Sequence, residues 1–452
     1  MNKVLIGSPI RQTPAILEQF LLSLTGLTKS STTVDYIFVD DNVDPLSSVM
    51  LNDFSEANGR SVIIRPAIQT NEEYKRSEFT HYWKESQIWK VAAMKDDIIE
   101  RARNAEYDGL FLVDSDLVLH PRTLEQLIQA DKPIVSCIFW TSWQPDTLEM
   151  PQVWLQDEYT QYRKDRREDV DGQEQFLRMK RFFAQLRMPG LYEVGGLGAC
   201  TLINKQALQA GVSFAEIKSI SFWGEDRHFC IRADALGLGM FVETTYPAYH
   251  IYRDSDLAGV AAYKQLCLKP DHSSLFAGSI KELNAEQLFH NATCMHNYHY
   301  EEAALEYYLS FLETGEGEQE QRVEAIVYAA DCYNLLGKSV QSKNLLETYV
   351  NRIPSAEIYC KLAFMIMNLE QWEEAILLYK QAIKLARPAD LSASPDPSAW
   401  TWQPHLQLCV CYDRLGQHIR AMEHNEIGLS YDPHHPSMLL NKQYLTGVLN
   451  QS

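Results

Sequence analysis

The sequence predicts two parts of different class: an α/β part built around a mostly parallel sheet, followed by an all-α part of stacked helix pairs. Three observations carry this. Short β-branched runs alternate with helical patterns to about residue 256, which is the signature of βαβ units. Beyond about residue 284 the texture is continuously helical and repeats itself. Finally, 452 residues exceed one ordinary core, since a domain usually takes roughly 100 to 200.

The elements of the first part follow in order. Strands are read at Val4 to Gly7, Val34 to Asp40 and Ser61 to Arg65, with a helix over Ala15 to Leu24. Ile88, Val91, Ala92, Ile98 and Ile99 fall at helical spacing and predict a helix to Arg103. It leads into the apolar strand Leu110 to Val113. A further strand covers Ile134 to Phe139, and a last one ends in His250. Between them, the charged stretch from Asp157 to Arg187 predicts a solvated helical excursion, with closure over a substrate as its functional alternative. The expected boundaries are 1–256 for the α/β domain, 257–283 for a linker and 284–452 for the helical domain.

Composition excludes several classes. With 46% hydrophobic and 22% charged residues the chain is neither disordered nor fibrous. A formal net charge of -19 argues against nucleic acid as a partner, because that binding rests on a basic surface. Nine cysteines, without the paired spacing of a zinc site, read as reduced residues of a cytoplasmic protein. The chain starts directly on a strand and has no segment of membrane-spanning length, so no membrane span is expected.

In the helical part, Leu336-Gly337, Leu369-Glu370 and Leu415-Gly416 mark matching helix ends, and Tyr300-Glu301-Glu302-Ala303 matches Trp372-Glu373-Glu374-Ala375. Aligned on the glycine position, the marks are Tyr298, Gly337, Glu370 and Gly416. A period near 34 with insertions resembles the tetratricopeptide repeat (TPR) over roughly residues 284 to 446. Loops around TGEGEQE and Pro388 to Pro397 account for the insertions. Such repeats bind partners on a concave face.

The candidate chemistry lies in Gly109 to Pro121, GLFLVDSDLVLHP. Two acids close an apolar strand, and buried unpaired carboxylates are costly, so a partner is expected. The period of two along a strand would send Asp114 and Asp116 to one side and Ser115 to the other. Two hard oxygen donors at the carboxyl end of a central strand suit a divalent cation carrying a diphosphate. Glu225 and Asp226 open a helix after Phe222-Trp223-Gly224; they are either partners of the helix dipole or, for Asp226, a general base beside an aromatic acceptor wall. His250 is either a core histidine or a metal ligand. Gly195, Gly196 and Gly198 permit a close backbone approach, without the spacing of a dinucleotide fingerprint. Trp140 and Trp143 are either sugar-stacking or core residues.

Taken in order, VLIGSPIRQTP, VDYIFVDDN, DSD, EVGGLGACTL, GEDRHF and the late histidine resemble the GT-A glycosyltransferases, family 2-like, over the first 256 residues. That resemblance implies a GT-A, Rossmann-like nucleotide-diphospho-sugar transferase fold. It places Ser8, Pro9, Arg11, Asp40, Asp41, Lys95, Asp114, Ser115, Gly195 and Gly196 at the donor. Trp140, Trp143, Phe222 and Trp223 fall at the acceptor. Asp114, Asp116 and His250 would hold Mn2+ or Mg2+, and Asp226, with Glu225 beside it, would be the base of an inverting transfer. The implied donor is a nucleotide-diphosphate sugar, UDP-linked by preference.

SPIRQTP and WGEDRHFCIRA also resemble the Anp1-type mannosyltransferases, which retain configuration, and His228-Phe229-Cys230 replaces the usual tryptophan pattern. Fusion to repeats resembles enzymes that glycosylate peptides or proteins, with the repeats binding the acceptor or making a homo-oligomer. A glycan- or lipid-directed transferase, a non-catalytic scaffold and a nucleotidyltransferase are the alternatives.

Overall fold

The computed structural model describes residues 3–29, 32–58, 62–67, 75–77, 81–105, 107–145, 147–156, 158–221, 224–268, 280–388, 390–391 and 394–450. The chain divides into two compact units, Met1–Ser274 and Leu275–Ser452.

The first unit opens with β1 (Lys3–Ile10), α1 (Pro14–Thr25), β2 (Thr33–Asp40), α2 (Pro45–Asn58) and β3 (Val62–Pro66). A short antiparallel pair, β4 (Lys75–Arg76) and β5 (His81–Tyr82), precedes α3 (Glu85–Asn104) and β6 (Gly109–Val113). Next come β7 (Leu117–Val118), α4 (Thr123–Gln129), β8 (Ile134–Thr141), β9 (Met150–Pro151), β10 (Val153–Trp154) and α5 (Gly172–Arg187). The unit closes with β11 (Leu191–Val194), β12 (Gly196–Leu197), β13 (Cys200–Asn204), α6 (Lys205–Ala210), α7 (Glu225–Ala235), β14 (Met240–His250) and α8 (Val260–Cys267).

The main path of the large sheet runs β3-β2-β1-β6-β13-β8-β14-β11. β1 pairs in parallel with β2 and β6, and β8 pairs in parallel with β14. β13 is antiparallel to both its neighbours, and β11 is antiparallel to β14. The sheet is therefore mixed, with two strands of that path reversed where the sequence suggested plain βαβ alternation. The apolar run of β13 is buried, and such a run reads the same in either direction, whereas β11 is a largely exposed strand at the end of the path.

The core is built from strand residues such as Val4, Ile6, Phe38, Phe111, Val135 and Leu202, with Leu17, Phe20 and Leu24 of α1 and Leu124 and Leu127 of α4 packed on them. α1 starts at Pro14, where the fixed φ and missing N–H of proline suit a first helical position. In the charged stretch, a helix forms only from Gly172, capped by Asp171. It buries Phe182, Phe183, Ala184 and Leu186, so it is an amphipathic element rather than a wholly solvated one. The span expected as linker contains α8, whose Val260 is buried with Ile16, Val118 and Ile251.

The second unit consists of helix pairs 285–297 with 301–314, 319–335 with 339–349, 356–368 with 372–384, and 403–414 with 418–431, followed by a helix at 436–449. The turn within each pair carries one left-handed residue: His299, Gly337, Glu370 and Gly416. The first mark is thus His299, one residue later than the Tyr298 expected. The second helices start at Glu301, Ser339, Trp372 and His418, and the small residue that lets the helices approach is Ala304, Ser342, Ala375 and Ala421, fully buried in each. Ala375 therefore corresponds to Ala304, not to Ala303. Four residues on, Tyr308, Leu346, Tyr379 and Asn425 are also fully buried, one helical turn along the same face.

Candidate functional site

β2 and β3 extend the sheet on one side of β1, whereas β6 lies on the other. This makes a topological switch point between β1 and β6, and ligands of open α/β sheets bind beyond the strand ends there. A cavity of about 720 Å³ occupies that place. Its walls come from the end of β1 (Pro9 to Thr13), the turn after β2 (Asp41), the turn after β6 (Asp114 to Asp116) and α3.

One wall is cationic with a buried acid in its centre. Asp41, 5% exposed, lies 2.6 Å from Nζ of Lys90 and 3.3 Å from a guanidinium nitrogen of Arg11. Asp40, the other candidate, turns away from the cavity: its Oδ1 accepts from the backbone and side-chain nitrogens of Asn42 and shapes the turn. Pro9 and Arg11 line the cavity, while the fully buried Ser8 does not, its hydroxyl donating to the carbonyl of Pro9.

The opposite wall holds the two acids. β6 ends at Val113, so Asp114, Ser115 and Asp116 lie in a turn rather than on a strand. The expected alternation therefore does not apply, and all three residues line the cavity. Nε2 of His250 is 3.6 Å from Oδ2 of Asp116. Nδ1 of the same ring is 2.8 Å from Oγ1 of Thr141, which also accepts from Gln152. Burial works to raise the pKa of Asp116, but His250, by charge and hydrogen bond, and His81 outweigh it and hold the carboxyl below its usual range. Asp114 goes the other way, to about 8, because burial dominates and Asp116, Asp226 and Glu225 add negative charge, against the pull of Lys95. Among the described residues no group of three or more His, Cys, Asp or Glu converges closely enough to hold a metal ion. The chemistry of the donors present, two carboxylates in one turn with an imidazole against one of them, still suits a divalent cation.

Lys95 does not line this cavity. Its side chain is 1% exposed, and its Nζ is 2.9 Å from Oε1 of Glu225 and 3.2 Å from Oδ1 of Asp226, at the start of α7. Burial would lower its pKa, but Asp226, Glu225 and Asp114 more than reverse this and hold the ammonium well above the ordinary lysine value. Burial, only partly offset by Lys95, raises Asp226 to about 6. Asp226 keeps 27% side-chain exposure, so it can still meet solvent or a ligand. Gly224, before α7, has φ of +147°, a conformation essentially confined to glycine, and the hydroxyl of Tyr159 sits where a Cβ would point.

The close approach read at the glycine-rich segment is made within the protein. A Cβ on Gly196 would fall 2.0 Å from the Trp154 ring, and one on Gly195 would meet the Leu155 carbonyl. Neither glycine lines the cavity. Trp140 packs edge-on against Phe183 with the Arg187 guanidinium 3.5 Å over its ring, and Trp143 is 44% exposed against Tyr252. Phe222 and Trp223 lie outside the described residues. His228, Phe229 and Cys230 are buried, with Phe229 stacked on Phe214.

Lys90, His81, Trp83 and Gln87 line the cavity without having been singled out in the sequence. The signal was present for two of them: Gln87, Lys90, Val91 and Met94 form one face of α3 at helical spacing.

No protein-family model matches the chain, and no curated protein matches it. Among solved structures it is similar to MamA (18% identity, covering 35% of this chain and 84% of that one, TM-score 0.29). A MamA fragment from Desulfovibrio magneticus RS-1 gives 11%, 37%, 85% and 0.30 on the same measures. YrrB, described as a TPR protein with an unusual peptide-binding site, gives 13%, 42%, 84% and 0.27. The chain thus spans more than four fifths of each, and the likeness falls on its C-terminal helical part. Among the described residues, no helix is long and apolar enough to cross a membrane.

Proposed function

We propose that the first unit is a GT-A glycosyltransferase domain. In this reading it moves a sugar from a nucleotide-diphosphate donor, UDP-linked by preference, to a peptide or protein acceptor organised by the helical repeats. The observation that carries the proposal is the cavity at the β1/β6 switch point, with Arg11, Lys90 and Asp41 on one wall and Asp114 and Asp116 on the other.

Arg11 and Lys90 pair with Asp41 and aim it at the base or ribose, and they offer positive charge to the diphosphate. Asp114 and Asp116 in the cavity, with His250 set against Asp116 rather than converged on one point with both, would hold Mn2+ or Mg2+, which when bound offsets charge on the departing diphosphate. Thr141 fixes the His250 ring through Nδ1, leaving Nε2 toward Asp116. Asp226 is the acceptor-side base. A pKa of about 6 leaves most of it ionised at neutral pH yet basic enough to take a proton from an acceptor hydroxyl. Lys95 positions it and balances its charge.

The test is slow hydrolysis of a nucleotide sugar by the purified protein without acceptor. Turnover that needs Mn2+ and disappears in Asp116→Ala supports the reading. An Asp226→Asn variant is expected to keep donor binding and lose transfer. Absence of both turnover and binding across nucleotide sugars would favour the non-catalytic scaffold.

A further inference from the structure

The insertion between the third and fourth helix pairs does more than connect them. Pro397–Trp400 forms a single 3-10 turn, capped by Asp396, whose Oδ1 accepts from the backbone and hydroxyl of Ser398. This turn packs against helices 356–368, 372–384 and 403–414. Ala399 is 1% exposed, and its carbonyl accepts from the thiol of Cys360 at 3.9 Å.

The anchor is Glu357, on the first helix of the third pair and 4% exposed. Its Oε1 accepts from the indole N–H of Trp400 at 2.7 Å and from the hydroxyl of Ser394. Its Oε2 is buried with no hydrogen-bond partner among the described residues. One turn along the same helix, Lys361 pairs with Asp331 of helix 319–335 at 2.6 Å. The segment therefore bridges the first helices of the third and fourth pairs. It satisfies only one oxygen of a buried carboxylate, and a buried acceptor left open is costly.

We propose that this face of the repeat unit, centred on Glu357, is a peptide-binding surface, and that the chain's own Ser394–Trp400 segment occupies it as a resident ligand. The partner it fits is a short peptide of the same chemistry: a hydroxyl donor and an indole donor six residues apart, with a proline-stiffened turn between them. A partner supplying one more donor to Oε2 displaces the resident segment. This inference concerns the second unit alone and stands whether or not the first unit transfers sugar.

The experiment uses a fluorescent synthetic peptide of residues 390–402 and the full-length chain carrying a Gly/Ser stretch of equal length at 390–399 together with Trp400→Ala. Fluorescence polarisation is expected to show saturable binding to this variant. Binding to the wild type should be at least about tenfold weaker, because a tethered segment competes at an effective concentration of the order of millimolar. A peptide with Trp400→Ala, or a variant also carrying Glu357→Gln, should lose that binding. No binding to the variant with its helical circular dichroism intact, or equal binding to variant and wild type, overturns the proposal. Should the replacement fail to fold, Trp400→Ala in the full chain serves instead: it should admit the peptide where wild type does not, and equal behaviour of the two overturns the proposal.

Discussion

Replacing Lys95 with Met removes the only cation that Glu225 and Asp226 contact directly among the described residues, while keeping the length of the side chain. Removing one partner of a buried ion pair costs about 3–5 kcal/mol. The 27% exposure of Asp226 puts the expected loss near the lower bound, about 3 kcal/mol. For a unit of this size, that lowers the melting temperature by roughly 6–12 °C. The sign of the pH dependence follows from the acids. Asp226 and Asp114 have folded pKa values raised to about 6 and about 8, so their contribution is most favourable when protonated and is lost as pH rises through those values. Lys95 itself, raised well above its ordinary value, stays charged across this window. The deficit of Lys95→Met should therefore be smaller at pH 5 than at pH 8, and adding Asp226→Asn should recover part of it. Differential scanning fluorimetry at both pH values reads this directly. A deficit that is the same at pH 5 and pH 8, or below about 1 kcal/mol at pH 8, would refute the claim that Lys95 neutralises a buried acidic cluster.

Three further outcomes are expected. Lys90→Ala should weaken nucleotide-sugar binding by about tenfold in calorimetric titration, near 1.4 kcal/mol; unchanged affinity removes Lys90 from the site. Gly196→Ala forces a methyl to within 2.0 Å of the Trp154 ring and should cost about 1–3 kcal/mol in urea denaturation, as overpacking does; an unaltered midpoint would mean that β10 can yield. In the repeats, His405 faces His424, Nδ1 to Nδ1 at 3.1 Å, and burial, then the His424 charge, lowers it to about 4. The stability that a neutral His405 contributes to the second unit is therefore full above about 6.5 and lost as pH falls toward 4. His405→Gln should flatten that loss, and an identical acid profile would contradict it.

Much of the first unit is legible because periodicity reports burial. The helix over Ile88 to Arg103 and the strands before it fall where their apolar spacing places them, within a few residues of α3, β1 and β2. Strand direction was not legible, since Cys200–Asn204 is buried throughout its apolar run and looks alike both ways. The DSD turn shows a second limit. A motif placed one residue beyond a strand looks identical to one on it, yet alternation no longer governs where Asp114 and Asp116 point. Lys95 and Gly196 show a third: their partners, Glu225 and Trp154, lie 130 and 42 positions away in sequence, and no local pattern reports such pairing. In the repeats the period was readable, but apolar character alone does not report burial there: Phe364 is 47% exposed, whereas Met367 and Tyr379 are buried. A repeat aligned on turn residues alone can slip by one, as it does at Tyr298 and Ala303.

The most direct test of the central claim is the melting temperature of the purified chain against UDP-, GDP- and dTDP-sugars, each with and without Mn2+. Ligand at about 100 times its dissociation constant adds about 2.7 kcal/mol to the native state, a rise of roughly 5–11 °C for a unit of this size. Such a rise is expected with one nucleotide, dependent on Mn2+ and absent in Asp116→Ala. No shift with any nucleotide sugar, in a protein whose melting is otherwise cooperative, would contradict it.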